Sequence, residues 1–189
     1  MQFAGLALIV FGLIKKTKLN PIYLFIISLI IVIGWTFIPI INTESFYVSA
    51  FCGLFLPIYF DGMMSACFPL VTWFVFVAFG YMFAYIMKKV KNLNRFYLYV
   101  LLIGAVLFAT FFTIDEVFEI SAGKCGYDYS EYYNHIMVAV YSIGSTMVMF
   151  SLFYFLSKIT HEKFNELCIK MSSCVNEIYI ISWILIFWV

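Results

Sequence analysis

The sequence predicts an all-α protein: a polytopic bundle of about six transmembrane helices with one interfacial or re-entrant segment. Composition is the first observation, since 65% of the 189 residues are hydrophobic and only 11% are charged. A soluble domain of this length cannot hide so much apolar surface from water. The second is that the charged residues form clusters between long apolar stretches, as in multi-pass proteins of the cell membrane. We therefore expect a single transmembrane domain over residues 1–189, with the lipid bilayer as its partner.

The central apolar stretch, residues 66–87, sets the direction of every other span. Its 22 residues give about 33 Å of helix, enough to cross a bilayer core of about 30 Å. Asp61 precedes it, and a basic cluster from Lys88 to Arg95 follows it. Because basic residues stay on the cytoplasmic side, the cluster is predicted to lie inside and Asp61 outside.

Two spans are predicted before the central one. Residues 1–14 are apolar but give only about 21 Å of helix. A signal peptide is the alternative, but its basic residues should precede the apolar run, and here Lys15, Lys16 and Lys18 follow it. We expect a span whose first turns are missing, so that the chain is a fragment that packs against upstream helices of a longer parent. Residues 21–41 form the second span.

Residues 46–60 are ambiguous, because Gly53 and Pro57 interrupt a mostly apolar stretch. If this stretch crossed the membrane, the basic cluster after the central span would lie outside, against the positive-inside rule. An interfacial helix or a re-entrant segment is therefore predicted, with a true span as the alternative.

The second half of the chain adds three predicted spans, at residues 96–114, 136–156 and 170–189. The loop between the first two, residues 115–135, carries five acids against one lysine. With this topology, ten of the eleven basic residues are cytoplasmic and seven of the ten acids are outside. This sorting supports the topology. It also leaves no basic patch that would bind nucleic acid.

The first candidate site is in the last span. Glu177 should lie about 10 Å inside it, where an ionisable group usually faces a cavity or a partner helix. Ser173 and Asn176 share its helical face. One interpretation is the polar wall of a substrate or cofactor tunnel. The other is an interhelical hydrogen bond, or a helix that begins later and leaves Glu177 among the headgroups.

The second candidate region contains Asp61 and Trp73, near the start of the central span. It fits a substrate-lining site, although an aromatic belt at the membrane interface explains the same residues more simply. The spacing of the five cysteines and two histidines indicates no metal site. Cys52 and Cys125 are expected outside or near the outer face, either as a disulfide or as buried thiols.

Three segments, taken in order, carry a family resemblance: MQFAGLALIVFGLIKKTKL, ACFPLVTWFVFVAFGYMFAYIMKK and MSSCVNEIYIISWILI. They resemble the later part of bacterial membrane O-acyltransferases of the acyltransferase-3 family, which is itself similar to the heparan-glucosaminide N-acetyltransferase-like membrane proteins. Phe68, Pro69, Trp73 and Gly80 match the Phe-Pro…Trp…Gly run of the family. Tyr179 matches its late Ile-Tyr span.

The resemblance implies that the intact parent transfers an acyl group, commonly acetyl from acetyl-CoA, to a surface glycan or a similar hydroxyl acceptor. The family's early span with its Arg and His has no counterpart here, and Ser182 stands where the late span often has His. We therefore expect this chain to be inactive by itself, and the sequence nominates no catalytic base. A small transporter or permease-like unit, or a non-catalytic membrane protein, is the alternative function.

The charge sorting predicts that residue 90 is cytoplasmic and residue 124 is outside. Single cysteines introduced as Val90→Cys and Lys124→Cys test this in intact cells treated with a membrane-impermeant thiol reagent. Position 124 should be labelled and position 90 protected. Labelling of position 90 from outside the cell would contradict the topology.

Overall fold

The computed structural model describes residues 2–37, 41–56, 58–60, 63–64, 69–118, 136–160 and 162–174. The chain divides into two compact units, residues 1–149 and 150–189, whose boundary falls inside one helix. The all-α prediction is confirmed in its coarse form, since seven helices account for most of the described residues and the three strands have only two or three residues each. Among the described residues, three helices are long and apolar enough to cross a membrane, fewer than the six predicted.

The first unit opens with two apolar helices, α1 (Gln2–Lys16) and α2 (Pro21–Thr36). The side chain of Asn20 starts α2, because its Oδ1 accepts the N–H of Ile22. The helix ends five residues before the predicted end of the span. Pro39 explains the early end, since proline has no N–H and disfavours helical backbone in the residue before it.

Short elements follow α2 in place of one continuous interfacial helix. Helix α3 (Phe46–Cys52) has seven residues, about 10 Å, which is a third of the bilayer core. Strands β1 (Ile41–Asn42), β2 (Ile58–Phe60) and β3 (Met63–Met64) form a sheet in that order, with β1 parallel to β2 and β3 antiparallel to β2. The position of this segment relative to a bilayer stays a prediction.

The three candidate spans are α4 (Leu70–Met87), α5 (Leu93–Phe118) and α6 (Ile136–Ile159). Pro69 is the N-cap of α4, whereas the prediction placed it inside the first helical turn. Helix α5 starts earlier and ends later than predicted, so that Asp115 belongs to a helix and not to a loop. Helix α7 (Glu162–Ser173) follows α6. Residues 175–189 of the last predicted span lie outside the described residues.

The core of the first unit is shared by α2, α4 and α6. Its fully buried members are Val32, Val75, Phe79, Ala139 and Ile143. Phe25 of α2 adds a ring contact to Phe79, with 5.8 Å between centroids. Large side chains on the opposite face of α2 are exposed, as expected for a helix in lipid, where apolar surface needs no cover from water.

Helices α4 and α5 form an antiparallel pair joined by a short basic turn. The ring of Phe83 contacts both Phe96 and Tyr97, with centroids 5.4 and 6.2 Å apart. At the end of α4 the ammonium of Lys89 lies over the Tyr85 ring, 4.1 Å from its centroid. A lysine that extends over an interfacial tyrosine is typical of the level at which a helix leaves the membrane.

Helices α5 and α6 approach each other closely at two glycines. A Cβ added to Gly104 would lie 2.7 Å from the Met147 Cβ and 2.8 Å from the Gly144 carbonyl oxygen. One added to Gly144 would lie 2.7 Å from the backbone nitrogen of Phe108. Small residues allow such backbone contact between helices in membranes, where dispersion replaces the hydrophobic effect as the driving force.

In the second unit, the end of α6 and the start of α7 form a hydrogen-bonded corner. Thr160 Oγ1 donates to Asn165 Oδ1 at 2.6 Å, and Asn165 Nδ2 donates to the Ser157 carbonyl at 2.9 Å. Carbonyls in the last turn of a helix have no partner within the helix, so the second bond satisfies one of them. The corner therefore fixes the direction in which α7 leaves α6.

The glycine contact predicts a position-specific loss of stability. Gly104→Ala should lower the free energy of unfolding by about 1–3 kcal/mol, because the new methyl group overlaps backbone and Cβ atoms of α6. Gly80→Ala in α4 is the control, since its Cβ would meet nothing within 4 Å. Thermal unfolding in detergent measures both. Equal melting temperatures for the two variants would show that the helices do not touch here.

Candidate functional site

The predicted site residues fall in different parts of the chain. Asp61, Asn176 and Glu177 lie outside the described residues, and Ser173 is the last residue of α7. Trp73 lies in the first turn of α4, where its indole nitrogen is buried and its ring is 5.1 Å from that of Phe76. The structure thus places a half-buried Trp73 near the beginning of α4. Trp73 belongs to the first unit and Ser173 to the second.

A different feature is visible at one end of the first unit, which we name the polar end. Here α2 and α5 finish while α4 and α6 begin. At this end the Thr36 hydroxyl joins α2 to α6. It accepts the N–H of Ile136 at 3.4 Å and donates to the Val32 carbonyl at 3.0 Å. The end of α2 therefore serves as a cap for the beginning of α6.

The start of α4 is capped by backbone rather than by a side chain. Pro69 provides no side-chain cap. Instead, the N–H groups of Leu70 and Val71 donate to the carbonyls of Leu54 and Phe55, at 3.0 and 2.9 Å. The turn after α3 thus satisfies two of the helical N–H groups that lipid could not satisfy. This pair of bonds holds the short-element segment against the polar end.

Asp115 is the one acidic or basic side chain that is buried among the described residues, with 3% of its surface exposed. It shares a face of α5 with the buried residues Val100 and Gly104, because intervals of 4 and 11 residues return to the same side of a helix. That face packs on α6. The neighbouring Glu116 is exposed.

The level of Asp115 along the bundle follows from the aromatic contacts of α5. The Phe112 ring lies 5.7 Å from the ring of Tyr141 in α6. Asp115 is nearly one turn further along α5, and Ile136 begins α6 just over one turn before Tyr141. In an antiparallel pair this brings Asp115 level with the first turn of α6, whose partial positive charge favours a carboxylate.

Sequence reasoning missed Asp115 because it assigned the residue to an acidic loop. One signal in the sequence could have found it. Asp115 stands 11 residues after Gly104, so a helix that continued to Phe118 would put both on one face. The exposed neighbour Glu116 would then face away.

No group of three or more potential metal ligands is present among the described residues. Cys52 has a half-buried free thiol, while Cys125 lies outside the described residues. Among the described residues, the polar end contains the buried Asp115 carboxylate. A buried carboxylate can hold and move a proton or orient a hydroxyl group.

No protein-family model matches this chain, and no curated protein or solved structure matches it. The resemblance to membrane acyltransferases therefore stays a prediction.

The bond between α2 and α6 gives a prediction for Thr36. Thr36→Val should lower the free energy of unfolding by about 0.5–2 kcal/mol, because it removes the acceptor of the Ile136 N–H. Thr36→Ser keeps the hydroxyl and should stay close to the wild type. Chemical unfolding in detergent distinguishes them. The cap would be refuted by a serine variant as unstable as the valine variant.

Proposed function

We propose that the chain is a six-span membrane protein that forms part of an acyltransferase-like unit, and that acyl transfer uses Asp115 at the polar end. The single observation that supports this is the buried carboxylate in an apolar bundle. Ionisable side chains within membrane helices are costly and usually mark a functional site.

The six-span topology adds shorter helices to the three candidate spans. Helix α2 has 16 residues, about 24 Å, and its flanking residues bring it close to the bilayer core of about 30 Å. Most of its isoleucines are exposed, which suits contact with lipid. Helix α1 and the segment after Ser173 supply the remaining two spans in this proposal. The positive-inside rule then puts the polar end on the outer side.

In the proposed reaction the Asp115 carboxylate takes the proton from an acceptor hydroxyl. The acceptor oxygen then attacks the thioester carbonyl of an acyl-CoA substrate, the carbon–sulfur bond breaks, and the proton leaves with the thiol of CoA. A base must lie within about 2.6–3.2 Å of the proton that it removes. Ser173, Asn176 and Glu177 remain candidate substrate-lining residues from the sequence alone.

A transporter is the second candidate, because buried carboxylates in membrane helices also serve proton and solute pathways. A pathway needs polar groups along the bundle. Between Asp115 and the other end of α5, the buried described residues of that helix are Val100 and Gly104, which are apolar. Ser28 of α2 is buried as well, but its hydroxyl donates to the Leu24 carbonyl of the same helix. The described residues of α5 thus offer no continuous polar route, which favours chemistry at one end.

The test is Asp115→Asn in the chromosomal copy, assayed in membranes of the cell that makes the protein. Transfer of label from acetyl-CoA to the surface glycan should fall by about 10²–10⁴-fold, the usual contribution of a general base. Glu116→Gln is the matched control, because that acid is adjacent and exposed, and its rate should stay near that of the wild type.

Equal rates in the two variants would exclude Asp115 as the base. Membranes with no label transfer above those of a deletion strain would exclude the acyltransferase proposal altogether. Proton uptake by proteoliposomes that is lost in Asp115→Asn would favour the transporter. Purified variants should retain the wild-type elution volume, which separates a chemical effect from misfolding.

A further inference from the structure

Helix α7 has an apolar stripe on one face, while its opposite face carries charged residues together with the exposed Ile169. Phe164, Leu167 and Cys168 occur at positions i, i+3 and i+4, which places them on one face. Phe164 and Leu167 are 49% and 52% exposed, and Cys168 is exposed as well. About half of the surface of Phe164 and of Leu167 therefore stays open among the described residues. Glu162, Glu166 and Lys170 lie on the remaining surface of the helix.

The position of α7 in the chain indicates what the stripe contacts. Helix α6, a candidate membrane span, ends at Ile159, and α7 begins at Glu162. Near the end of α6 the Lys158 ammonium lies over the Tyr154 ring, 4.5 Å from its centroid. A tyrosine with a lysine extending over it is typical of the headgroup level of a bilayer. The three residue steps from Ile159 to Glu162 span at most about 11 Å, so α7 starts close to that level.

The corner between the helices keeps α7 there. The bonds from Thr160 to Asn165 and from Asn165 to the Ser157 carbonyl join the first turns of α7 to the last turn of α6. Asn165 is half-buried in this corner, whereas the next residue, Glu166, is exposed. The helix therefore leaves the span at a fixed direction rather than as a free tail.

The stripe is too small for a stable protein interface. A helix of 12 residues is about 18 Å long and about 10 Å wide. One face thus offers roughly 180 Å², against about 800 Å² per partner in a standard interface. Binding to a bilayer surface needs no such minimum area, because an amphipathic helix inserts its apolar face a few ångströms below the headgroups.

We propose that α7 is an interfacial helix that lies on the bilayer at the end of α6, with Phe164, Leu167 and Cys168 in the headgroup–acyl boundary. The charges of the helix balance, with two acids and two lysines, so its contact depends on the apolar stripe rather than on anionic lipid. This placement is independent of the reaction proposed above.

The native Cys168 allows a direct test in the full chain. Cys52, Cys67, Cys125 and Cys174 are changed to alanine, Cys168 is labelled with the fluorophore NBD, and the protein is reconstituted in phosphatidylcholine vesicles. Lipids with a nitroxide at acyl carbon 5 should quench the emission at least twofold more than lipids with a nitroxide at carbon 12. Leu167→Cys in a Cys168→Ala background is a second reporter on the stripe and should behave alike.

The matched control is Glu166→Cys, also with Cys168→Ala, which puts the label on the polar face of the same helix. Its emission should be quenched by iodide in the buffer and little by either lipid. Three results overturn the proposal: iodide quenching at 168 equal to that at 166, stronger quenching at 168 by the carbon-12 lipid, or protection from iodide and both lipids. The last result would mean that protein covers the stripe.

Discussion

The first N–H groups of a helix have no acceptor within the helix, and much of this structure follows from that constraint. Helix α4 begins after a proline that provides no side-chain cap, so two of its N–H groups need acceptors from elsewhere. The carbonyls of Leu54 and Phe55 fill that role. Helix α6 receives the hydroxyl of Thr36 for the same reason. Each acceptor comes from a different element of the fold. The caps therefore satisfy the free N–H groups and also join the elements to each other.

The same constraint accounts for the segment between α2 and α4. In a single helix over residues 46–60, the carbonyls of Leu54 and Phe55 would accept bonds within that helix and could not reach α4. The observed sequence of strand, short helix and strand turns the backbone after Cys52 so that two carbonyls point at the start of α4. Gly53 and Pro57 are the residues expected to break a helix at this position. The irregular segment is thus bonded directly to the start of α4 and provides its N-terminal cap.

Hydrophobicity was enough to predict the helical class and the candidate spans α4, α5 and α6. A long apolar stretch can satisfy its own backbone hydrogen bonds in a membrane by forming a helix. Helix ends were harder, since they depend on contacts distant in the chain. Asp115 shows this best: its sequence neighbours are acidic and suggest a loop, yet packing on α6 continues the helix past it. Trp73 lies near the start of α4, but the burial of its indole nitrogen could not be known without the neighbouring helices.

The close approach at Gly104 and the burial of Asp115 are two consequences of one helical face. Residues 104 and 115 are three turns apart on the side of α5 that packs on α6. Separating the helices at the glycine would also open the space around the carboxylate and admit water, which weakens the electrostatic influence of a buried group. A loss of activity in a Gly104 variant would therefore not make that glycine a catalytic residue. The chemistry of Asp115 must therefore be tested with a change that leaves the packing of α5 on α6 intact. Replacing its carboxylate with an amide of the same shape is such a change.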